Sequence, residues 1–164
     1  MSAGSEASKG ASLLAVRKLA GSDVPAVFAM LQESPEAAAW SRESLLQLAS
    51  ADPAAWVVEL NSVLVGFLIG RSAADEFEIL NMAISRAHRR SGIGSKLLES
   101  ALEFSRTVGS ARAYLEVRAS NAPAIALYKR YGFTECGRGG GDFSISFDSE
   151  VKKLAAKTPR KKNS

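Results

Sequence analysis

Three short stretches of this 164-residue chain hold residue types that can do chemistry. The first is Arg89-Arg90-Ser91-Gly92-Ile93-Gly94-Ser95. Paired glycines let a backbone turn tightly and approach a ligand closely. A helix starting there exposes N–H groups with no intrahelical partner at the positive end of its dipole, which together form an anion site. The two arginines add charge-assisted donors suited to phosphate. A pyrophosphate is the natural guest, and a glycine-rich turn with solvated arginines accounts for the same residues about equally well.

The second stretch is Leu115-Glu116-Val117-Arg118-Ala119-Ser120-Asn121. A carboxylate placed mid-strand among apolar neighbours has its proton held more tightly by desolvation, which suits Glu116 to proton abstraction. An acid on the solvent face of a half-exposed strand is the alternative. Asn121 reads first as a helix cap. The third is Tyr128, one helical turn beyond Ala124 and Ile125. Its phenol, with a reference pKa of about 10, can protonate a leaving thiolate, or the ring can simply pack against a sheet.

Competing motifs fail on their spacing. No Gly-x-x-x-x-Gly-Lys-Ser/Thr string is present, so a P-loop is excluded. A dinucleotide fingerprint needs a small residue three positions after Gly94, where Leu97 stands; Glu116 alone sits about where its ribose-binding acid would be. A serine triad needs a histidine, and the single one, His88, lies inside the basic loop. No metal site is expected, for want of ligands.

These residues need elements to hold them. Leu13 to Leu19 reads as a first strand, followed by a helix capped by Ser22 or Asp23 and running through Gln32. Ser41 caps a second helix with Glu43 in its first turn. Ala54–Leu60 and Val63–Ile69 flank Asn61-Ser62 as a hairpin, and Phe77 to Ser85 is a further strand. After the basic loop, Ile93, Leu97, Ala101, Phe104 and Val108 fall on one helical stripe that Gly109 closes. A strand from Ala113 to Arg118, a helix from Ala122 to about Tyr131, and a half-exposed strand through Phe143, Ile145 and Phe147 complete the order. The pattern is an α+β domain whose later half is a βαβ unit.

Composition bounds the rest. A hydrophobic fraction of 46% and a net charge of +4 fit one globular domain. Residues 151–164 carry six basic side chains and no acid, leaving a net −2 before them. We therefore expect a disordered N-terminus at 1–12, a domain at 13–150 and a basic disordered tail at 151–164, whose alternative role is polyanion contact. A single cysteine, Cys136, and the absence of a signal-like or 18-residue apolar run point to a cytoplasmic protein without a membrane.

Asn81-Met82-Ala83-Ile84, the Arg-x-x-Gly-x-Gly loop, Leu115–Asn121, Ala124–Tyr128 and Tyr131-Gly132-Phe133 together resemble the GCN5-related N-acetyltransferases (GNAT). Within that family, these runs and Trp40-Ser41 are similar to the RimI-type ribosomal-protein alanine acetyltransferases. The likeness spans roughly Leu13 to Phe133 and implies a mixed, mostly antiparallel twisted sheet, splayed at the acetyl-CoA site and flanked by helices. It further implies acetyl-CoA as acetyl donor, no metal, and a protein N-terminus as acceptor. Met82, Ala83 and Ile84 would form the splayed strand whose backbone holds the acetyl and pantetheine portion. Arg89, Arg90, Ser91, Gly92, Ile93, Gly94 and Ser95 would wrap the pyrophosphate, and Asn121 would bind coenzyme A. Glu116 would be the proton acceptor and Tyr128 the proton donor. The loop Thr134–Asp142 lacks the tyrosines usual in the RimI type. A small-molecule amine acetyltransferase, or a non-catalytic coenzyme A- or RNA-binding protein, are the alternatives.

Overall fold

A computed structural model describes residues 13–33, 40–50, 54–136 and 141–147. The expected disordered ends, 1–12 and 151–164, and residues 137–140 of the glycine-rich stretch lie outside the described residues. Strand β1 (Leu14–Lys18) is followed by helices α1 (Val24–Gln32) and α2 (Arg42–Ser50). Then come β2 (Ala54–Leu60), β3 (Val63–Ala73), β4 (Glu76–Ile84), helix α3 (Ile93–Thr107), β5 (Arg112–Glu116), α4 (Ala122–Arg130), β6 (Thr134–Glu135) and β7 (Asp142–Ser146). No helix among the described residues is long and apolar enough to cross a membrane.

The strands form one seven-stranded sheet in the order β1-β2-β3-β4-β5-β7-β6. Every neighbouring pair is antiparallel except β4–β5. Two parallel neighbours need a crossover, and α3 supplies it. Asn61 and Ser62, both at positive φ (53° and 72°), make the tight β2–β3 turn expected there. β3 runs four residues past Ile69, because Gly70-Arg71-Ser72-Ala73 pairs with Glu76–Ile79; its polar character hid the continuation.

The sheet carries two cores. On one face α3 buries Ile93, Leu97, Leu98, Ala101 and Leu102 against Trp56, Val58, Val65, Leu68 and Phe77. Phe104 completes this layer edge-on to Trp56 and Phe77, at 5.4 and 6.1 Å between ring centres. Val108 departs from the expected buried stripe. It sits at the C-cap of α3 and is half exposed, because the helix has already run past the sheet. On the other face α1 and α2 bury Val27, Met30, Leu31 and Leu45 against Ala55, Val57, Phe67, Ile69 and Ala83. Among the described residues, β5, β6 and β7 contribute nothing to this second core.

A charged cluster locks the start of the chain to the sheet. Arg17 on β1 donates to both oxygens of Asp23 at 2.8 and 2.9 Å and to Glu59 of β2 at 2.6 Å. Asp23 also accepts from the Ala20 amide at 2.8 Å. The guanidinium holds the Asp23 carboxyl below the usual carboxylate range.

Candidate active site

β4 is paired on both edges only at its start. Its parallel partners on β5 end at Ile79 opposite Leu115, whereas its pairing with β3 continues to Ile84. At the same point the β3–β4 register slips: Ile69 faces Asn81 and Gly70 faces Ile79, so Leu80 is an extra residue. A bulge adds a bend and local twist, and here it lies where β4 leaves β5. Beyond it the β5-facing backbone groups of β4 have no strand to bond among the described residues.

A cavity of about 790 Å³ opens in this splay. Its walls include β4 from Glu78 to Met82, β5 and its continuation from Leu115 to Ala119, and Asn121, Ile125 and Tyr128 from the α4 region. Volumes of this order accept a small molecule or the reactive end of a larger one.

The sequence-derived residues divide between two places. Glu116, Tyr128, Asn121 and Met82 meet at the cavity. Ala83 does not: its side chain is buried in the α1/α2 core, so only its backbone could serve a ligand. Ile84 packs against the α3 core. Arg89 to Ser95 stand outside the cavity lining, at the head of α3.

That head is built as an anion cradle. Arg90 and Gly92 both take left-handed backbone (φ 64° and 85°), and Gly92 is the N-cap of α3. The space around the Gly92 Cα is open, so it is the backbone angle that calls for glycine there. Ser91 Oγ donates to the His88 carbonyl, Ser85 Oγ and His88 Nδ1 lie 2.8 Å apart, and Arg89 Nε donates to the Ile84 carbonyl at 3.2 Å. These contacts brace the loop from β4 to α3. The first turn of α3 has no acid, and the amides of Ile93, Gly94 and Ser95 have no intrahelical carbonyl to bond. A Cβ on Gly94 would lie 3.9 Å from Met82 Cε, so the cradle and the cavity are neighbours. Among the described residues, no group of three or more His, Cys, Asp or Glu is placed to hold a metal.

Glu116 corrects one sequence expectation. It is the last residue of β5 rather than mid-strand, and it is exposed, because β5 ends where the splay begins. Alternation sends Ala113 and Leu115 into the α3 core and Glu116 to the opposite face. Tyr128 belongs to the α3 core and packs edge-on to Phe133 at 5.7 Å. Burial pushes its phenol well above the usual tyrosine range, so the group stays protonated. The carboxylate and the phenol therefore reach the splay from its two faces. Asn121 caps α4 as expected, its Oδ1 accepting from the Ala124 amide at 3.3 Å.

Glu78, Asn81 and Lys129 line the cavity without having been singled out for it. Asn81 gave a signal, since a polar residue inside an apolar strand run is unusual; it is 6% exposed here. Glu78 gave none.

The acetyltransferase (GNAT) family pattern matches residues 24–133. The chain is 32% identical over 120 residues to the ribosomal protein bS18 alanine N-acetyltransferase of Escherichia coli strain K12, covering 73% of this chain and 80% of that protein. The crystal structure of the ribosomal-protein-S18-alanine N-acetyltransferase from Escherichia coli superposes with a TM-score of 0.67 at 29% identity, over 81% of this chain and 90% of that one. PaiA N-acetyltransferase from Thermoplasma acidophilum, solved in complex with coenzyme A, shares the fold at a TM-score of 0.72 and 20% identity, over 82% of this chain and 99% of that one. The splayed sheet, the phosphate-ready helix head and this extent of likeness agree: the chain belongs to the acetyltransferase (GNAT) family and is an N-acetyltransferase with RimI-like relatives.

Proposed function

We propose that this protein transfers acetyl from acetyl-CoA to the α-amine of a protein N-terminus, in the ribosomal-protein alanine class, by direct attack. One observation carries the reading: Glu116 and Tyr128 line the same cavity from opposite faces of the splay. Residues 13–150 are the catalytic domain in this reading, and a cytoplasmic setting goes with it.

Acetyl-CoA supplies an activated thioester. The residues present suit it: the α3 head with Arg89 through Ser95 for the pyrophosphate, the unpaired β4 edge from Met82 to Ile84 for the pantetheine arm, and Asn121 at the cavity wall. An α-amine has a pKa near 8, so a proton must leave it for the nitrogen lone pair to attack. Glu116, exposed on the face away from α3, takes that proton. Backbone N–H groups of the unpaired β4 edge face the developing oxyanion. As the carbon–sulfur bond breaks, Tyr128 gives its proton to the sulfur. No covalent intermediate on the protein is needed, so Cys136 has no part.

The test is incubation of the full chain with acetyl-CoA and Ala-starting peptides, following thiol release and locating the acetyl group by mass spectrometry. Acetyl on the peptide α-nitrogen is the expected result. Turnover restricted to polyamines or aminoglycosides would replace this reading with a small-molecule one. Silence with every amine would leave a binding role only.

A further inference from the structure

Glu78 lines the reaction cavity yet has no place in the acid–base scheme. Its strand neighbours Phe77 and Ile79 enter the α3 core, so alternation sends Glu78 to the other face of the sheet. That is the face on which Glu116 lies. The register fixes their separation: Glu78 is beside Tyr114, and Glu116 is two residues further along the adjacent parallel strand. One inter-strand spacing across and two residues along amounts to about 8 Å between the two positions.

The carboxylate is available to a ligand. Arg71 of β3 donates to its Oε1 at 2.7 Å, and its Oε2 has no hydrogen-bond partner among the described residues. The pair is open, with side chains 62% and 41% exposed, and ion pairs of this kind are weak and screened by salt. A cation delivered into the cavity can therefore displace Arg71. The remaining charged side chains of the lining are differently placed. Glu135 pairs with Phe143 and so belongs to the α3 side, while Arg118 and Lys129 lie beyond Glu116 and on α4.

We infer that Glu78 is a specificity-determining residue, selecting acceptors that carry a second positive charge about 8 Å from the reacting amine, as a peptide with Lys or Arg at its second position does. This rests on the reading of the Glu116 face as the acceptor side. Glu78 reads the neighbouring side chain and takes no part in proton transfer, so its effect falls on acceptor KM and depends on acceptor charge.

Steady-state kinetics at saturating acetyl-CoA test this with three Ala-starting peptides that differ only at position two, as Lys, Gln or Glu. The full-length protein should rank them Lys, Gln, Glu through KM. Glu78→Gln should raise KM for the Lys peptide about tenfold, the size of one charge-assisted contact, and leave the Gln peptide unchanged. Glu78→Lys should favour the Glu peptide, a reversal that mere loss of structure cannot produce. Arg71→Ala, which removes the rival cation, should lower KM for the Lys peptide. Equal effects of Glu78→Gln on all three peptides would overturn the assignment. If Glu116→Gln still abolished turnover in that case, the acid–base reading would stand alone. Failure of the unsubstituted protein on every peptide would overturn both.

Discussion

Two strands of the one sheet, β2 and β7, were given opposite surroundings. The first five residues of β2, Ala54 to Val58, are buried without interruption, because α3 covers one face and α1 with α2 covers the other. β7 alternates, with Phe143 and Ile145 buried and Asp142, Ser144 and Ser146 half-buried, because among the described residues only the α3 side is covered. β5 repeats the alternation with Glu116 at its end. A strand covered on both faces reads as a continuous apolar run, and one covered on a single face reads as in-out alternation. The boundary between the two regimes runs between β4 and β5, where the sheet splays and the cavity opens.

The charges of the two halves differ in the same sense. Arg17, Asp23 and Glu59 satisfy one another beside the doubly covered half. Glu116 is exposed on the singly covered half, and Glu78, on the β4 side of the boundary, lines the cavity with one oxygen held by Arg71. The first arrangement holds the fold together, and the second leaves groups free to meet a substrate. Substitutions in the covered half should therefore show in stability, and those at the splay in turnover.

The largest effect should come from Glu116→Gln, which removes the proposed base: turnover falls about a thousandfold while the melting temperature stays put. A drop in melting temperature of equal weight would erase the contrast. Next is Tyr128→Phe, which keeps the ring against Phe133 and removes the proton donor. We expect about a hundredfold loss in kcat, with acetyl-CoA affinity unchanged by calorimetry.

Asp23→Ala should reverse the pattern, costing about 1–3 kcal/mol by urea unfolding with kcat intact, since it leaves Arg17 with Glu59 alone and the Ala20 amide without its acceptor. The pH dependence sharpens this. The folded Asp23 carboxyl is held below its unfolded value by Arg17, so its contribution is fully present above about pH 4 and fades as pH falls below that. The Ala variant should be correspondingly less acid-sensitive; an unchanged acid transition would remove Asp23 from the account. Smallest is Gly92→Ala. Its Cβ meets open space, so only the left-handed backbone resists it, by about 1 kcal/mol, and a modest rise in acetyl-CoA KM is the expected reading.

Much of this was legible in local patterns. The stripe Ile93, Leu97, Ala101 produced α3, the Asn61-Ser62 pair produced the first hairpin, and Asn121 produced the cap of α4. Each depends on neighbours within a turn or two. Val108 was misjudged because periodicity says nothing about where the sheet beneath a helix stops. β6, only Thr134 and Glu135, carries no pattern of its own and is a strand solely through its pairing with β7. Glu116 was expected mid-strand, since Val117 and Arg118 look as strand-like as what precedes them; the divergence of β4 from β5 ends it.

The amino-acid sequence by itself determined the elements, the basic glycine loop at a helix head and the residue types on which the chemistry rests, because propensity, capping and periodicity act over a few residues. The tertiary structure alone decided which face each carboxylate occupies and where β4 parts from β5. The faces of Glu78 and Glu116 follow from the helix layer that buries their strand neighbours. The parting of β4 from β5 coincides with one extra residue, Leu80, in the β3–β4 register, which turns Met82 to the α3 side and Ala83 to the other. A one-residue slip turns every later side chain to the other face, and that slip exists only once distant strands have paired.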